Sequence, residues 1–529
     1  MRNLAVLFLF FLTLSCQQAE TPAVENQHLP GWPRHGVTYE IFIQSFADSN
    51  GDSIGDIQGV IDKLPYLTDL GIKAMWLMPV MESPSYHKYD VTDYRSIHSD
   101  YGTMEDFKTL VDQAHQRDIK IIIDLIINHT SDKHPWFIAA KNGNPQYRDY
   151  YVWADRDSIA DQLAKKETSF DSDNITQWHA PDGDSTKDHY YGFFWGGMPD
   201  LNFDNPAVRD EMVDIARYWI EELGVDGFRL DAARHIYPDD QAEKSHAFWS
   251  EYYAKLKEIK PDIYLVGEVW ENIEDQVPYA AGFSSLFNFD IAFSILESVN
   301  NQTQLSAFIH GHGWQVDSTT SFLDVYAESE RAYARENKDF LIGTFLSNHD
   351  QNRTLSVLGN DQVKGKLAAS ILLTLPGHPY LYYGEELGMK GTKPDPNIRE
   401  PFPWGDSYTT TWMEPEFTTA TSVASVKQQE SDDYSILSHY KDLIQLRNEY
   451  HALSVGSMAV LEQNADELVA FERVYENEKL KIFHNLSDKE ISVDAGSAGS
   501  VVFATFETPQ VGSNMRLPAR STIIINMNN

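Results

Sequence analysis

The sequence predicts an α/β protein: a closed (β/α)8 TIM barrel with an inserted domain after strand 3 and a C-terminal antiparallel β-sandwich. Three observations carry this. Eight short apolar runs alternate with amphipathic stretches, the rhythm of repeated β-then-α units. One connection is ~75 residues long, against the ~2–6 of an ordinary βα loop. Beyond residue 453 the pattern changes to short alternating runs separated by turns, the signature of antiparallel strands.

The N-terminus reads as an export segment. Met1-Arg2-Asn3 is a short basic start, and Leu4 to Leu14 is apolar but too short to span a bilayer as a mature helix. Ser15-Cys16 follows. Residues 1–15 resemble a bacterial lipoprotein signal, with Cys16 as the lipidated first mature residue, although Thr13 stands where Leu is usual. Cys16 is the only cysteine, so no disulfide forms within the chain. The expected location is the bacterial cell envelope, with membrane contact only through the lipid. Residues 16–30 are polar and punctuated by proline, a flexible tether.

The eight strand candidates are TYEIFIQSF, KAMWLMPV, KIIIDLIINH, DGFRLDA, IYLVGEV, SLFNFDIAF, LIGTFLSNHD and HPYLYYGEE. Their near-continuous Val, Ile, Leu and Phe content fits strands buried on both faces of a parallel sheet. Stretches such as 104–117 and 207–223 supply the intervening helices. The barrel is assigned to 31–128 and 206–452, and the inserted domain to 129–205, rich in Asp, Gly, Trp and Tyr. Residues 453–529 form the C-terminal domain.

Three acidic residues each end an apolar run: Asp231, Glu268 and Asp350. Burying one unpaired charge costs several kcal/mol, so three at strand ends point to one shared polar pocket. Paired carboxylates at the mouth of a parallel barrel are what hydrolysis of a sugar linkage requires. Arg229 lies two residues before Asp231, on the same side of one strand. There it can hold that carboxylate ionised, or pair with Asp124. Apolar Val266 and Val269 and the Trp270 indole should desolvate Glu268 and raise its pKa, leaving Asp231 ionised.

The net charge of −37 argues against a nucleic-acid partner, whose phosphates it would repel. The segment DSNGDSIGD (48–56) offers hard oxygens at Asp48, Asn50, Asp52, the Ile54 carbonyl and Asp56, which suits Ca2+ but also an Asp-Asn-Gly turn. It is no EF-hand, since Ser53 and Gly59 occupy the places of the required Gly and Glu. The aromatic cluster Tyr190, Tyr191, Phe193, Phe194 and Trp195 either stacks on sugars or packs the inserted domain.

The motifs DLIINH (124–129), GFRLDAARH (227–235), GEVW (267–270), FLSNHD (345–350) and MPDLN (198–202) resemble those of the α-amylase family, glycoside hydrolase family 13. MPDLN resembles the subfamily between the oligo-1,6-glucosidases and the neopullulanases. The resemblance implies Asp231 as nucleophile, Glu268 as general acid then base, and Asp350 as the third carboxylate, binding sugar hydroxyls. It implies His129 and His349 as hydrogen-bond donors to the cleaved sugar, and His87 and Tyr89 as further contacts, with Tyr89 stacking beneath it. Lys88 departs from the family's usual Gly. Arg399 resembles an arginine near the innermost donor-side subsite. The resemblance also implies a structural calcium after the first strand and, in many α-amylases, a second at the position of Asn128.

Ala232, small beside the nucleophile, goes in this family with α-1,4 linkages. The expectation is therefore endo-hydrolysis of starch and maltooligosaccharides. An exo-acting α-glucosidase or a transglycosylase shares all three carboxylates. An inactive surface starch-binding protein would be expected to lack one.

Overall fold

Eight strands buried on both faces close on themselves because inward side chains then pack against one another rather than face water. The computed structural model describes residues 36–165, 174–310, 313–417, 422–462, 465–496 and 499–528. The export segment, Cys16 and the tether lie outside the described residues. The barrel strands are β1 (Thr38–Ile41), β2 (Ala74–Leu77), β3 (Lys120–Leu125), β4 (Gly227–Leu230), β5 (Tyr264–Gly267), β6 (Ser285–Phe287), β7 (Leu341–Thr344) and β8 (His378–Tyr382). Each pairs in parallel with its sequence neighbour, and β8 closes on β1.

Side chains alternate across a strand with period two. Ala74, Trp76, Ile122, Tyr264, Val266, Phe287 and Tyr380 form one buried cluster, the barrel filling. Counting on by two from Val266 reaches Glu268. Counting by two along β4 from Gly227 reaches Arg229 and then Asp231. The same period that fills the barrel therefore aims the polar groups into its C-terminal mouth, where the active sites of such barrels lie.

Capping residues set the helix ends that the sequence leaves open. Asp56 caps Ile57–Leu70 and accepts a bond from Gly59 N, while Gly71 closes that helix in the left-handed conformation at φ 90°. Thr103 and Asp106 form a capping box on Met104–His115. Asn205 caps Pro206–Glu221, with proline at its first turn.

Between β3 and that helix the chain builds a three-stranded antiparallel sheet from Trp153–Ala154, His189–Tyr191 and Trp178–His179. Phe137, Tyr151, Trp153 and Tyr190 pack this inserted segment. It is stitched to the barrel mouth by the bridge His129↔Asp200 and by the Leu201 amide, which donates to the Asn128 carbonyl at 2.9 Å.

At the C-terminal end, a five-stranded antiparallel sheet orders Ser457–Val460, Leu468–Tyr475, Glu478–Asn485, Thr522–Asn526 and Ser500–Ala504. A two-stranded pair, Ile491–Val493 with Met515–Leu517, shares one core with it, including Phe483, Val493, Met515 and Ile523. The expected β-domain is present as five strands plus two. An antiparallel hairpin, Ser306–His310 with Gly313–Asp317, follows the helix Phe289–Asn301 and has no counterpart in the sequence reading.

Candidate active site

One cavity of about 710 Å3 opens at the barrel mouth, and Asp231, Glu268 and Asp350 all line it. Asp231 follows β4 and Glu268 follows β5. Gly267 is needed just before Glu268, because a Cβ there would come within 2.7 Å of the Phe283 ring.

Arg229 organises the floor. Its side chain is fully buried, and its Nη1 donates to Asp124 Oδ1 at 2.6 Å and to Asp231 Oδ1 at 2.7 Å. Its Nη2 lies 2.7 Å from Glu268 Oε2. One guanidinium thus holds both Asp231 and Glu268. The ion pair with Asp124 and the orienting role read from the sequence coexist. Asp124 is itself fixed by Trp76 Nε1, which donates to its Oδ2 at 3.0 Å. Burial pushes the Asp124 carboxyl up to about 7 against the pull of Arg229.

Burial also raises Glu268 above the usual carboxylate range; Arg229 opposes this, and the charges of Asp231 and Asp350 add to it. Glu268 Oε1 accepts the Trp270 indole N–H at 3.0 Å, and Oε2 accepts the Ala232 amide at 3.3 Å. The sequence predicts that Arg229 holds Asp231 ionised and oriented, and the guanidinium lies 2.7 Å from that carboxylate. Burial raises Asp231 as well and the charge of Asp350 adds to it, while Arg229 and His349 oppose the rise. The pair shares the guanidinium and differs in its other donors: Glu268 alone also accepts an indole N–H and a backbone amide.

Asp350 is the most open of the three, its side chain 32% exposed against 11% for Asp231 and 7% for Glu268. Its Oδ2 lies 2.9 Å from His349 Nε2, and its Oδ1 accepts from Arg399 Nη2 at 2.9 Å. His349 Nδ1 meets Glu40 Oε1 at 2.6 Å. Burial works against a charged imidazole here, but Asp350 and Glu40 outweigh it and hold the His349 proton up to about 10. Burial likewise opposes the Asp350 charge, yet His349 and Arg399 keep that carboxyl well below the usual range. Glu40 sits in the apolar run of β1 and went unread in the sequence; a lone carboxylate inside such a run was the available signal.

This chain of charges fixes a pH dependence. The folded His349 pKa lies above the free value of 6.5, so its stabilisation is complete below pH 6.5 and fades as pH rises to about 10. Asp350 contributes above its ordinary 3.8 and loses that contribution as pH falls. Denaturant unfolding across pH 6.5–10 is expected to show a stability loss in the wild type that His349→Gln lacks. Parallel curves for the two proteins would contradict the arrangement.

The remaining predicted contacts also gather at the cavity. His129, His87, Tyr89 and Arg399 line it. Burial lowers both His129 and His87 to about 4, so each presents a neutral imidazole. The Tyr89 ring stacks on His349 at 5.5 Å and 10°, and its hydroxyl lies 2.6 Å from His349 Nε2. Arg399 is buried; its Nε donates to the His349 carbonyl at 3.0 Å. Lys88 holds φ 67°, the left-handed region that glycine adopts without strain. Its Nζ donates to the Ser85 carbonyl at 3.1 Å, and burial lowers the amine to about 8. Ser85 Oγ in turn lies 3.1 Å from His87 Nδ1, so the loop around His87 is braced despite the substitution.

The aromatic cluster divides. Phe194 and Trp195 line the cavity, Phe193 stacks on His235 at 3.9 Å, and Tyr190 packs against Phe137 inside the inserted segment.

The loop 48–56 turns its oxygens partly on itself. Asp48 accepts the amides of Asn50, Gly51 and Ser53, Asp52 accepts that of Ile54, and Asp56 accepts from Ser49 and Gly59. Among the described residues no group of three or more His, Cys, Asp or Glu side chains is arranged to hold a metal ion. The loop's donor set is nonetheless all oxygen, the chemistry of a hard cation's ligands, although Asp48 Oδ1 and both Asp56 oxygens already accept two hydrogen bonds each. Asn128 Oδ1 is buried without a hydrogen-bond partner among the described residues, next to Asp200, whose carboxyl burial raises to about 7.

A barrel that sets two buried carboxylates on one guanidinium under an open cleft is equipped to act on glycosidic bonds. The alpha-amylase catalytic domain family matches residues 40–456. The Alpha-amylase 3 of Dictyoglomus thermophilum is 45% identical over 462 residues, covering 86% of this chain and 85% of its own. The 4-alpha-glucanotransferase of Thermotoga maritima is 36% identical over 463 residues, covering 86% and 96%. The crystal structure of an alpha-amylase from H. orenii superposes with a TM-score of 0.83 at 41% identity, covering 94% of this chain and 100% of that one. The chain belongs to the α-amylase family, glycoside hydrolase family 13, and is an enzyme of its glycosidase type.

Proposed function

We propose that this enzyme cleaves internal α-1,4-glucosidic bonds in starch and maltooligosaccharides with retention of anomeric configuration. Asp231 attacks the anomeric carbon as its bond to the leaving oxygen breaks, and Glu268 gives that oxygen its proton. Glu268 then takes a proton from water, which displaces Asp231 from the glycosyl ester. Asp350, charged and the most open of the three, holds sugar hydroxyls, with His349, His129 and His87 beside it. The carrying observation is the shared guanidinium: Asp231 and Glu268 both contact Arg229 within one cavity. That closeness supports a retaining pair, whose carboxyl groups sit ~5–5.5 Å apart, over an inverting one at ~6.5–9.5 Å.

Endo action is supported by a cleft with room for more than one sugar ring, walled by the inserted segment on one side and by the helix Phe289–Asn301 with its hairpin on another. The test is the early product profile from maltoheptaose. Mixed short maltooligosaccharides support the reading; glucose alone, released from chain ends, would overturn it. Transfer to a sugar acceptor is the second reading, favoured by likeness to a relative named as a 4-alpha-glucanotransferase. Early products longer than the substrate would establish it.

A calcium ion in the loop after β1 belongs to the same proposal. Asp48, Asn50, Asp52, the Ile54 carbonyl and Asp56 would hold it, joining the β1 exit to the helix capped by Asp56. An ion present at a hundred times its Kd stabilises by ~2.7 kcal/mol. Removal by chelator is therefore expected to lower Tm, with recovery on adding Ca2+; an unchanged Tm would remove calcium from the account. Lipid attachment at Cys16 would hold the enzyme to the envelope. No helix among the described residues is long and apolar enough to cross a membrane.

A further inference from the structure

Among the exposed large apolar side chains of the described residues, Trp195 (53% exposed) and Trp314 (47% exposed) both line the catalytic cavity. Trp195 belongs to the aromatic cluster already singled out. Trp314 lies on the hairpin strand Gly313–Asp317, which the sequence reading missed.

The indole of Trp314 is mounted in a fixed pose. It stacks on Phe293 at 4.6 Å and 13°. Its Nε1–H donates to Glu297 Oε1 at 3.3 Å. Phe293 and Glu297 are one turn apart on the helix Phe289–Asn301, so a single helix face supports both the ring and its N–H. A flat ring braced this way has lost little further freedom to a ligand, and nearly half the residue remains in contact with solvent.

The wall that carries it starts at Glu268. Trp270 donates to Glu268 Oε1 and stacks on Phe289 at 4.1 Å. Phe289 and Phe293 are again one turn apart, and Phe293 carries Trp314. A general acid faces the oxygen that departs with the leaving group, so the aromatic wall leading outward from Glu268 follows the leaving portion of the chain. We propose that Trp314, backed by Phe293 and held by Glu297, is a stacking platform for a glucose ring of the leaving portion, some distance beyond the scissile bond. It would make the enzyme favour longer chains. The inference rests on the glucan-cleaving reading above and deepens it.

The experiment compares kcat/KM from maltotriose to maltoheptaose for the wild type, Trp314→Ala, Trp314→Leu and Trp314→Phe. Trp314→Leu keeps apolar cover over Phe293 but removes the flat face, so it separates stacking from hairpin packing and guards against an alanine variant that fails to fold. Tyr434→Ala, at an 88% exposed side chain outside the cavity lining, is the control. Both Ala and Leu are expected to lose roughly 3- to 10-fold on maltoheptaose and less on maltotriose, with Phe retaining most of the preference. The control should track the wild type. If the wild type is active but the Leu profile runs parallel to it at every chain length, this inference alone is overturned. A wild type inert on the whole series would overturn the glucan reading and the inference with it.

Discussion

Glu268→Gln is expected to lower kcat on maltooligosaccharides by ~10²–10⁴-fold, the usual contribution of a positioned general acid. The replacement keeps the shape of the side chain. Its amide oxygen can still accept the Trp270 indole N–H, which lies 3.0 Å from Oε1. What it loses is the proton that the alkoxide leaving group needs. Fluoride leaves an α-glucosyl fluoride without protonation, so the first step on that substrate should be affected far less. Equal losses on both substrates would show that Glu268 is not the acid. Burial supplies the chemistry: it raises Glu268 toward the protonated form, and the nearby charges of Asp231 and Asp350 act in the same direction.

The largest stability effect is expected from Arg229→Met. The guanidinium is fully buried and contacts Asp124, Asp231 and Glu268 at 2.6–2.7 Å. Taking one partner from a buried ion pair costs ~3–5 kcal/mol, because the other charge is left without compensation. Three carboxylates would remain in this case. Activity should be lost along with stability, since nothing then fixes Asp231. Arg229→Lys should not restore it, because one ammonium cannot present two divergent nitrogens to two carboxylates. The destabilisation should shrink as pH falls, since protonated carboxyls no longer need the cation. Urea unfolding of wild type and variant at pH 5 and pH 8 measures this. A cost independent of pH would mean that Arg229 acts by packing alone.

The barrel was legible because a buried parallel strand has a composition that little else shares. All eight runs, from TYEIF to HPYLY, are dominated by apolar residues, with charges such as Glu40, Asp124 and Arg229 as exceptions. The same clarity exposed the three carboxylates, each a charge at the end of such a run. Other features depend on partners far away in sequence. Glu40 acquires its role only because β1 and β7 place it against His349, a separation of 309 residues. Asp231 is raised by burial and by the charge of Asp350, which spacing along one strand does not reveal. The hairpin carrying Trp314 went unread although Trp314 to Asp317 alternate apolar and polar, because it interrupts the β-then-α rhythm by which the barrel was recognised. The Met515–Leu517 strand has only three residues, too short for alternation to register. Lys88 was visible as a departure from a glycine pattern, and its φ of 67° gives the physical reason that glycine suits the position.

The central claim is that Asp231 becomes covalently bonded to the sugar while Glu268 serves the leaving oxygen. It is tested most directly by trapping the intermediate. A 5-fluoro-α-glucosyl fluoride, whose ring fluorine slows breakdown of the ester, should accumulate an adduct on the wild-type enzyme. Peptide mass mapping should place the sugar on Asp231, and Asp231→Asn should abolish the label. A sugar carried by any other residue, or turnover that releases the inverted anomer with no adduct, would contradict the account.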